Sequence, residues 1–183
     1  MKLTVRKTSL PEVLILEPAV HGDARGFFFE SFNARNFQEA TNVDANFVQD
    51  NHSKSRKGVL RGLHYQVRCP QGKLVRVTQG SVFDVAVDIR RSSVNFGKWF
   101  GVELSADNMR QLWIPPGFAH GFLVTTESAD VLYKTTDYWQ PGFERCLMWN
   151  DPAISIAWPD IGNVSLAAKD LAAPLLVNAE IFD

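Results

Sequence analysis

Short apolar runs, rich in β-branched and aromatic residues and parted by Gly or polar breaks, recur through most of the chain. Val13-Leu14-Ile15-Leu16 reads as a buried strand, and the His21-Gly22-Asp23 that follows it reads as a turn. Phe27, Phe28 and Phe29 begin another strand. Asn33 is placed to cap a short helix from Ala34 to about Ala40, because its side-chain oxygen can accept from an otherwise orphaned N–H. Strand signals then run nearly to the end: Gly58–Val67, Lys73–Thr78, Val82–Ile89, Trp99–Leu104, Met109–Ile114, Phe122–Thr125, Val131–Thr136 and Cys146–Trp149. Within Ser81–Asp88 both faces of the strand carry apolar groups, Phe83, Val85 and Val87 on one and Val82 on the other. The Val82 face also carries Asp84 and Asp88. Carboxylates on a face that is otherwise apolar suit a β-barrel or sandwich whose polar interior holds a ligand. The pattern predicts an all-β jelly roll with a few short helices.

Composition narrows the picture without redirecting it. The chain has 183 residues, 45% of them hydrophobic and 21% charged, ordinary values for a globular protein. No long linker, low-complexity stretch or repeat divides it, so residues 1–183 are expected to form a single domain. The net charge of -1 provides no field to recruit nucleic acid or an anionic membrane, so anion recognition must be local. Cys69 and Cys146 form no zinc spacing and read as reduced thiols. Met1–Leu10 lacks a continuous apolar stretch of the secretory kind, and no long apolar window appears. A cytoplasmic protein is expected, with neither nucleic acid nor membrane as partner.

Two segments resemble the paired motifs of the cupin superfamily. Gly58 precedes His64, and Pro115-Pro116-Gly117-Phe118-Ala119-His120 fits a PxGxxH pattern. Metal-binding cupins present a second histidine where this chain has Gln66, and a carboxylate where Val67, Arg68, Cys69, Pro70 and Gln71 offer none. His64 and His120 alone make a poor centre for a metal that needs three or four ligands. The expectation is a retained cavity, no metal and different chemistry.

Val59-Leu60-Arg61-Gly62-Leu63-His64-Tyr65-Gln66 carries a closer resemblance, to the dTDP-4-dehydrorhamnose 3,5-epimerase family. Asp23–Glu30, Gln49–Ser53, Gly80–Val85, Pro116–Phe122, Tyr133–Tyr138 and Leu166–Asp170 agree with it in order. The resemblance extends from about Val13 to Pro174. It implies a cofactor-independent epimerase of a dTDP-4-keto-6-deoxyhexose. The ketone acidifies the C–H bonds at C3 and C5, so removing either proton gives an enolate and returning one to the opposite face inverts the carbon. No nicotinamide or pyridoxal is required, because the carbonyl is already the electron sink.

The resemblance assigns His64 as the base, since a neutral imidazole is populated at physiological pH. It assigns Asp170 as the partner that fixes the tautomer of His64, Lys73 as the cation facing the C4 oxyanion, and Tyr133 as the acid on the opposite face. Tyr138 lies five residues beyond Tyr133, and odd spacing puts the two on opposite faces of a regular strand; the resemblance selects Tyr133 for the catalytic face and keeps Tyr138 among the substrate contacts. Arg61 and His120 are implied in holding the substrate, with Asp84 behind His120. Arg25, Phe28 and Glu30, with Gln49, Asn51 and Ser53, are implied at the nucleotide end, where a guanidinium suits phosphate. The Arg25–Glu30 strand is expected to reach across a two-fold homodimer by strand exchange, so Arg25 and Glu30 can serve a neighbour's site. The competing readings are an epimerase of C3 or C5 alone and a sugar-binding cupin without activity.

Overall fold

The computed structural model describes residues 2–183. In chain order the strands are β1 (Leu3–Lys7), β2 (Leu14–Pro18), β3 (His21–Asp23), β4 (Gly26–Phe28), β5 (Gln49–Arg56), β6 (Leu60–Gln66) and β7 (Lys73–Gln79). They continue as β8 (Ser81–Asp88), β9 (Trp99–Ser105), β10 (Gln111–Ile114), β11 (Phe118–Val124), β12 (Ser128–Thr135) and β13 (Glu144–Cys146). Two short α-helices interrupt them, α1 (Ala34–Thr41) and α2 (Ala168–Leu171). A six-stranded antiparallel sheet in the order β1-β2-β10-β7-β12-β5 faces a five-stranded one in the order β13-β6-β11-β8-β9. The sheets remain open, so the jelly roll is a sandwich rather than a closed barrel.

Three apolar clusters explain why both faces of several strands are hydrophobic. Between the sheets, Val75, Val77, Leu112 and Val131 meet Val82, Ala86, Leu104 and Phe122. Outside the five-stranded sheet, Leu63, Val85 and Val87 are covered by the C-terminal segment through Leu147, Ile154 and Leu176. Outside the six-stranded sheet, Leu14, Leu74 and Trp113 are covered by Phe37 of α1, with Phe32 and Phe47 beside it. Phe37 meets Trp113 edge-on at 5.5 Å between ring centres, an arrangement that adds to the burial of both rings. Asn33 caps α1 as expected, its side-chain oxygen 3.1 Å from the backbone nitrogen of Asn36.

Several boundaries differ from the sequence reading. His21–Asp23 forms β3 rather than a turn, pairing with β4 in an exposed two-stranded ribbon whose tip is Ala24-Arg25. The last strand is Glu144–Cys146, not Cys146–Trp149; Leu147 already turns into the core under the C-terminal segment. Strands β1 and β5 had no apolar signature to announce them. Strand β5 reads QDNHSKSR, and it is polar on both sides because one side faces solvent and the other a cavity lined by polar side chains.

Candidate active site

At one end of the sandwich the apolar interior gives way to a cavity of about 510 Å³. The six-stranded sheet supplies Gln49, Asn51 and Ser53 from β5, Lys73 from β7 and Tyr133 from β12. The opposite wall consists of Arg61, His64 and Gln66 from β6, His120 and Phe122 from β11, and Glu144 from β13. Residues 165–167 with Lys169 and Asp170 close one side.

Arg61 and His64 are three residues apart, so regular pleating would turn them to opposite faces. A bulge removes the conflict. His64 pairs with His120 and Arg61 with Phe122, so one extra residue of β6 is absorbed between them and both side chains face inward. Gly62 makes this possible: its φ is +127°, and a Cβ there would lie 2.5 Å from the Cα of Gly121. Only glycine on each strand permits that approach.

The Nε2 of His64 lies 2.7 Å from Oδ1 of Asp170, which is 1% exposed. The Nδ1 of His64 has no hydrogen-bond partner among the described residues and remains available to a ligand. Burial alone would raise the Asp170 carboxyl, but the hydrogen bond and charge of His64, the Gly62 N–H and the charge of Lys169 hold it below its ordinary value. Asp170 thus stays ionised behind the imidazole. The approach of α2 to β6 brings together two residues 106 positions apart.

Lys73 is buried, and its Nζ donates to the carbonyl oxygen of His64 at 3.3 Å. Burial lowers its pKa to about 8, against the opposing pull of Asp84 and Glu144. His120 is also buried, with Nε2 3.0 Å from both carboxylate oxygens of Asp84. Burial lowers its pKa, the Asp84 carboxylate opposes this, and the charges of Lys73 and His64 add to the lowering; His120 is neutral at neutral pH. Burial raises the Tyr133 hydroxyl, with Arg61 pulling it down and Glu144 pushing it up, so it remains a protonated acid. His64 and Tyr133 therefore project from opposite sheets into one space.

The cavity gathers Gln49, Asn51, Ser53, Arg61, His64, Lys73, His120, Tyr133 and Asp170, with Asp84 behind His120. It does not gather four of the expected residues. Arg25 sits at the tip of the exposed ribbon, paired with Asp23, and Phe28 is 64% exposed on the same ribbon. Glu30 accepts from Asn36 at 2.6 Å and from Asn33 at 3.2 Å, near α1. Tyr138 is exposed and lies beyond the end of β12 at Thr135, so the strand-parity argument does not reach it; the neighbouring Trp139 lines the cavity instead. The sequence reading missed Glu144 and Lys169, which pair at 3.0 Å beside the cavity. A Glu–Lys pair 25 residues apart has no local signature.

Gln66, at the position where metal-binding cupins carry histidine, is committed to the rim. Its amide nitrogen donates to the carbonyls of Cys69 and Tyr138, and its oxygen accepts from the Gln140 N–H. No group of three His, Cys, Asp or Glu among the described residues is placed to hold a metal ion. Both cysteines are free thiols.

Comparison with known proteins gives this geometry its context. Residues 7–178 match the family described as dTDP-4-dehydrorhamnose 3,5-epimerase. The chain belongs to that family. Its curated relatives include the dTDP-4-dehydrorhamnose 3,5-epimerases of Pseudomonas aeruginosa, 57% identical over 100% of this chain and 99% of the relative, and of Salmonella typhimurium, 59% identical over 97% of each. Among solved structures, the dTDP-6-deoxy-D-glucose-3,5-epimerase of Legionella pneumophila Philadelphia 1, in complex with dTDP-4-keto-L-rhamnose, is 52% identical. It superposes with a TM-score of 0.96, covering 97% of this chain and 95% of that one. As a member of the epimerase family the chain is an isomerase with a cupin-like jelly-roll fold.

Proposed function

We propose that this epimerase converts dTDP-4-dehydro-6-deoxy-D-glucose to dTDP-4-dehydro-L-rhamnose by inverting C3 and C5, with His64 as base and Tyr133 as acid. The observation that carries the mechanism is the His64–Asp170 pair at 2.7 Å, set on the wall opposite Tyr133 with Lys73 between the sheets.

Nδ1 of His64 takes the proton from the carbon beside the ketone, and Asp170, on the other nitrogen, gains a full imidazolium to face. The C–H electron pair moves through the enolate to the C4 oxygen. The ammonium of Lys73 meets the charge there; preorganised donors of this kind are worth roughly 3–4 kcal/mol in the transition state. Tyr133 then gives its hydroxyl proton to the opposite face of the same carbon. His64 has gained a proton and Tyr133 has lost one, and exchange with solvent restores both. The sequence repeats at the second carbon, and no redox equivalent is consumed.

Arg61 spends its Nε–H on Ser55 Oγ at 3.0 Å, leaving the other guanidinium N–H groups for sugar or phosphate oxygens. The exposed ribbon extends the reading to a homodimer. Phe27 and Phe28 are 63% and 64% exposed, a costly display for a two-stranded hairpin unless a partner covers it. Strand exchange would cover these rings and carry Arg25, Phe28 and Glu30 to a neighbouring cavity, where guanidinium and ring suit pyrophosphate and thymine. The reading is completed by a single epimerase domain in the cytoplasm, where free thiols persist, serving dTDP-L-rhamnose biosynthesis with a reductase that consumes the ketone.

The test is proton NMR of dTDP-4-dehydro-6-deoxy-D-glucose with the protein in heavy water. Deuterium should enter at both C3 and C5, and a partner reductase with NADPH should yield dTDP-L-rhamnose. Exchange at one carbon alone would replace the assignment with a mono-epimerase, and no exchange at either would overturn it.

A further inference from the structure

Asp84 is 0% exposed and lies on the inward face of β8, behind His120 of the cavity wall. A buried carboxylate is costly unless its charge is balanced, and the surroundings show what balances it. Asp170 accepts from His64 at 2.7 Å and lies within the field of the Lys169 ammonium, and Glu144 pairs with Lys169 at 3.0 Å. Asp84 is hydrogen-bonded to His120, which is neutral and supplies an N–H but no charge. No Lys or Arg ion pair to Asp84 forms among the described residues. Of the other cations lining the cavity, Arg61 hydrogen-bonds Ser55 and Lys169 pairs with Glu144. Lys73 remains, on the facing sheet, with its Nζ at the carbonyl of His64, whose register partner His120 is bonded to Asp84. The Asp84 charge favours the Lys73 ammonium. The groups around Lys73 are His64 on β6, Asp84 on β8, His120 on β11, Tyr133 on β12 and Glu144 on β13.

We propose that Asp84 is the counter-ion of Lys73, a positioning residue that keeps the buried ammonium charged and fixes His120 with Nδ1 as its lone-pair nitrogen. The inference deepens the reading in which Lys73 faces the C4 oxygen. A neutral lysine could donate a hydrogen bond to an enolate but could not meet its charge. One hydrogen bond of Lys73 goes to the His64 carbonyl at 3.3 Å, which anchors the amine and leaves two N–H groups for the substrate. His120, donating from Nε2 to Asp84, can only accept at Nδ1. It is thereby suited to a substrate hydroxyl and not to the ketone oxygen, which leaves the ketone to Lys73.

Asp84→Asn removes the charge and keeps a carbonyl oxygen for the His120 N–H. With C3 and C5 deuterium exchange followed from pH 6 to 10, the wild type should lose activity above about pH 8 as Lys73 deprotonates. In D84N that alkaline limb should move to lower pH by about one pH unit or more, the effect of losing an opposite charge nearby. A uniform fall in rate at every pH, with the limb unmoved, would assign Asp84 a packing role only and overturn the proposal. Carbon-13 NMR of the wild-type protein without substrate gives a second test that requires no variant to fold. The Asp84 carboxyl resonance should shift through the same pH range in which the Lys73 Cε resonance titrates, and a flat Asp84 resonance would overturn the pairing. This titration is independent of turnover, so a protein that fails to exchange substrate protons would defeat the functional reading and leave the Asp84–Lys73 pairing to be decided separately.

Discussion

Asp170→Asn removes a negative charge from behind His64 while preserving nearly the same shape. The carboxylate oxygen lies 2.7 Å from Nε2 in a residue that is 1% exposed, so little water is at hand to replace it. Before proton abstraction the carboxylate accepts one N–H from a neutral ring; afterwards it faces an imidazolium. The interaction strengthens along the reaction, and only that difference accelerates it. Breaking a buried, hydrogen-bonded ion pair costs about 3–5 kcal/mol, which at about 1.4 kcal/mol per decade is a fall in kcat of roughly 10²- to 10⁴-fold. KM should stay within about threefold, the signature of an interaction made in the transition state. Initial rates of deuterium incorporation at several substrate concentrations separate the two parameters. The acid stability profile offers a further check. A carboxyl whose folded-state pKa is depressed, as that of Asp170 is, contributes stability that is present above its unfolded pKa, near about 3.9, and lost as pH falls through the folded value. The wild type should therefore lose stability faster than D170N on acidification below about pH 4. A D170N enzyme with kcat within threefold of wild type, or with its loss carried wholly by KM, would refute the reasoning.

Lys73→Met should lower kcat by roughly 10²- to 10³-fold, the cost of removing one oxyanion donor, whereas Lys73→Arg should flatten the alkaline limb near pH 8 because a guanidinium does not deprotonate there; pH–rate profiles check both. Gly62→Ala forces a side chain into a positive φ and places its Cβ 2.5 Å from Gly121 Cα; a loss of roughly 2–4 kcal/mol should appear in urea unfolding, together with a fall in kcat as His64 is displaced. Replacing both Phe27 and Phe28 by Asp, on a ribbon already solvent-exposed within one chain, should leave the sandwich folded by circular dichroism. Light scattering should then show a monomer, and a variant that remains dimeric and fully active would remove the ribbon from the interface.

Much of the architecture could be read from alternation alone, because strands that pack on both faces advertise themselves with branched and aromatic residues. Strand β5 could not: its inward residues Gln49, Asn51 and Ser53 line a polar cavity, and a strand with polar groups on both faces lacks the very signal by which strands are recognised. Regular alternation would put Arg61 and His64 on opposite faces of β6, and the Gly62 bulge brings them to one. The odd spacing of Tyr133 and Tyr138 had no purchase on Tyr138, which follows the end of its strand. That His64 and Arg61 face the cavity was legible from the motif around His64. The proximity of Asp170 was not derivable from spacing, since it depends on a C-terminal segment folding back over the outer face of the five-stranded sheet. Nor was the Glu144–Lys169 pair, for the same reason. Arg25 and Phe28 lie outside the cavity because they sit on the exposed ribbon, and Glu30 because it is bonded to Asn33 and Asn36 near α1.

The central claim is that His64 removes the proton from the carbon beside the ketone. The most direct measurement is deuterium incorporation into dTDP-4-dehydro-6-deoxy-D-glucose catalysed by His64→Asn in heavy water, alongside wild type at equal concentration and confirmed to bind the substrate. Incorporation at C3 and C5 should both fall by at least about 100-fold, the scale of a positioned general base. Exchange at wild-type rates at either carbon would contradict the account, because some other group would then be taking the proton.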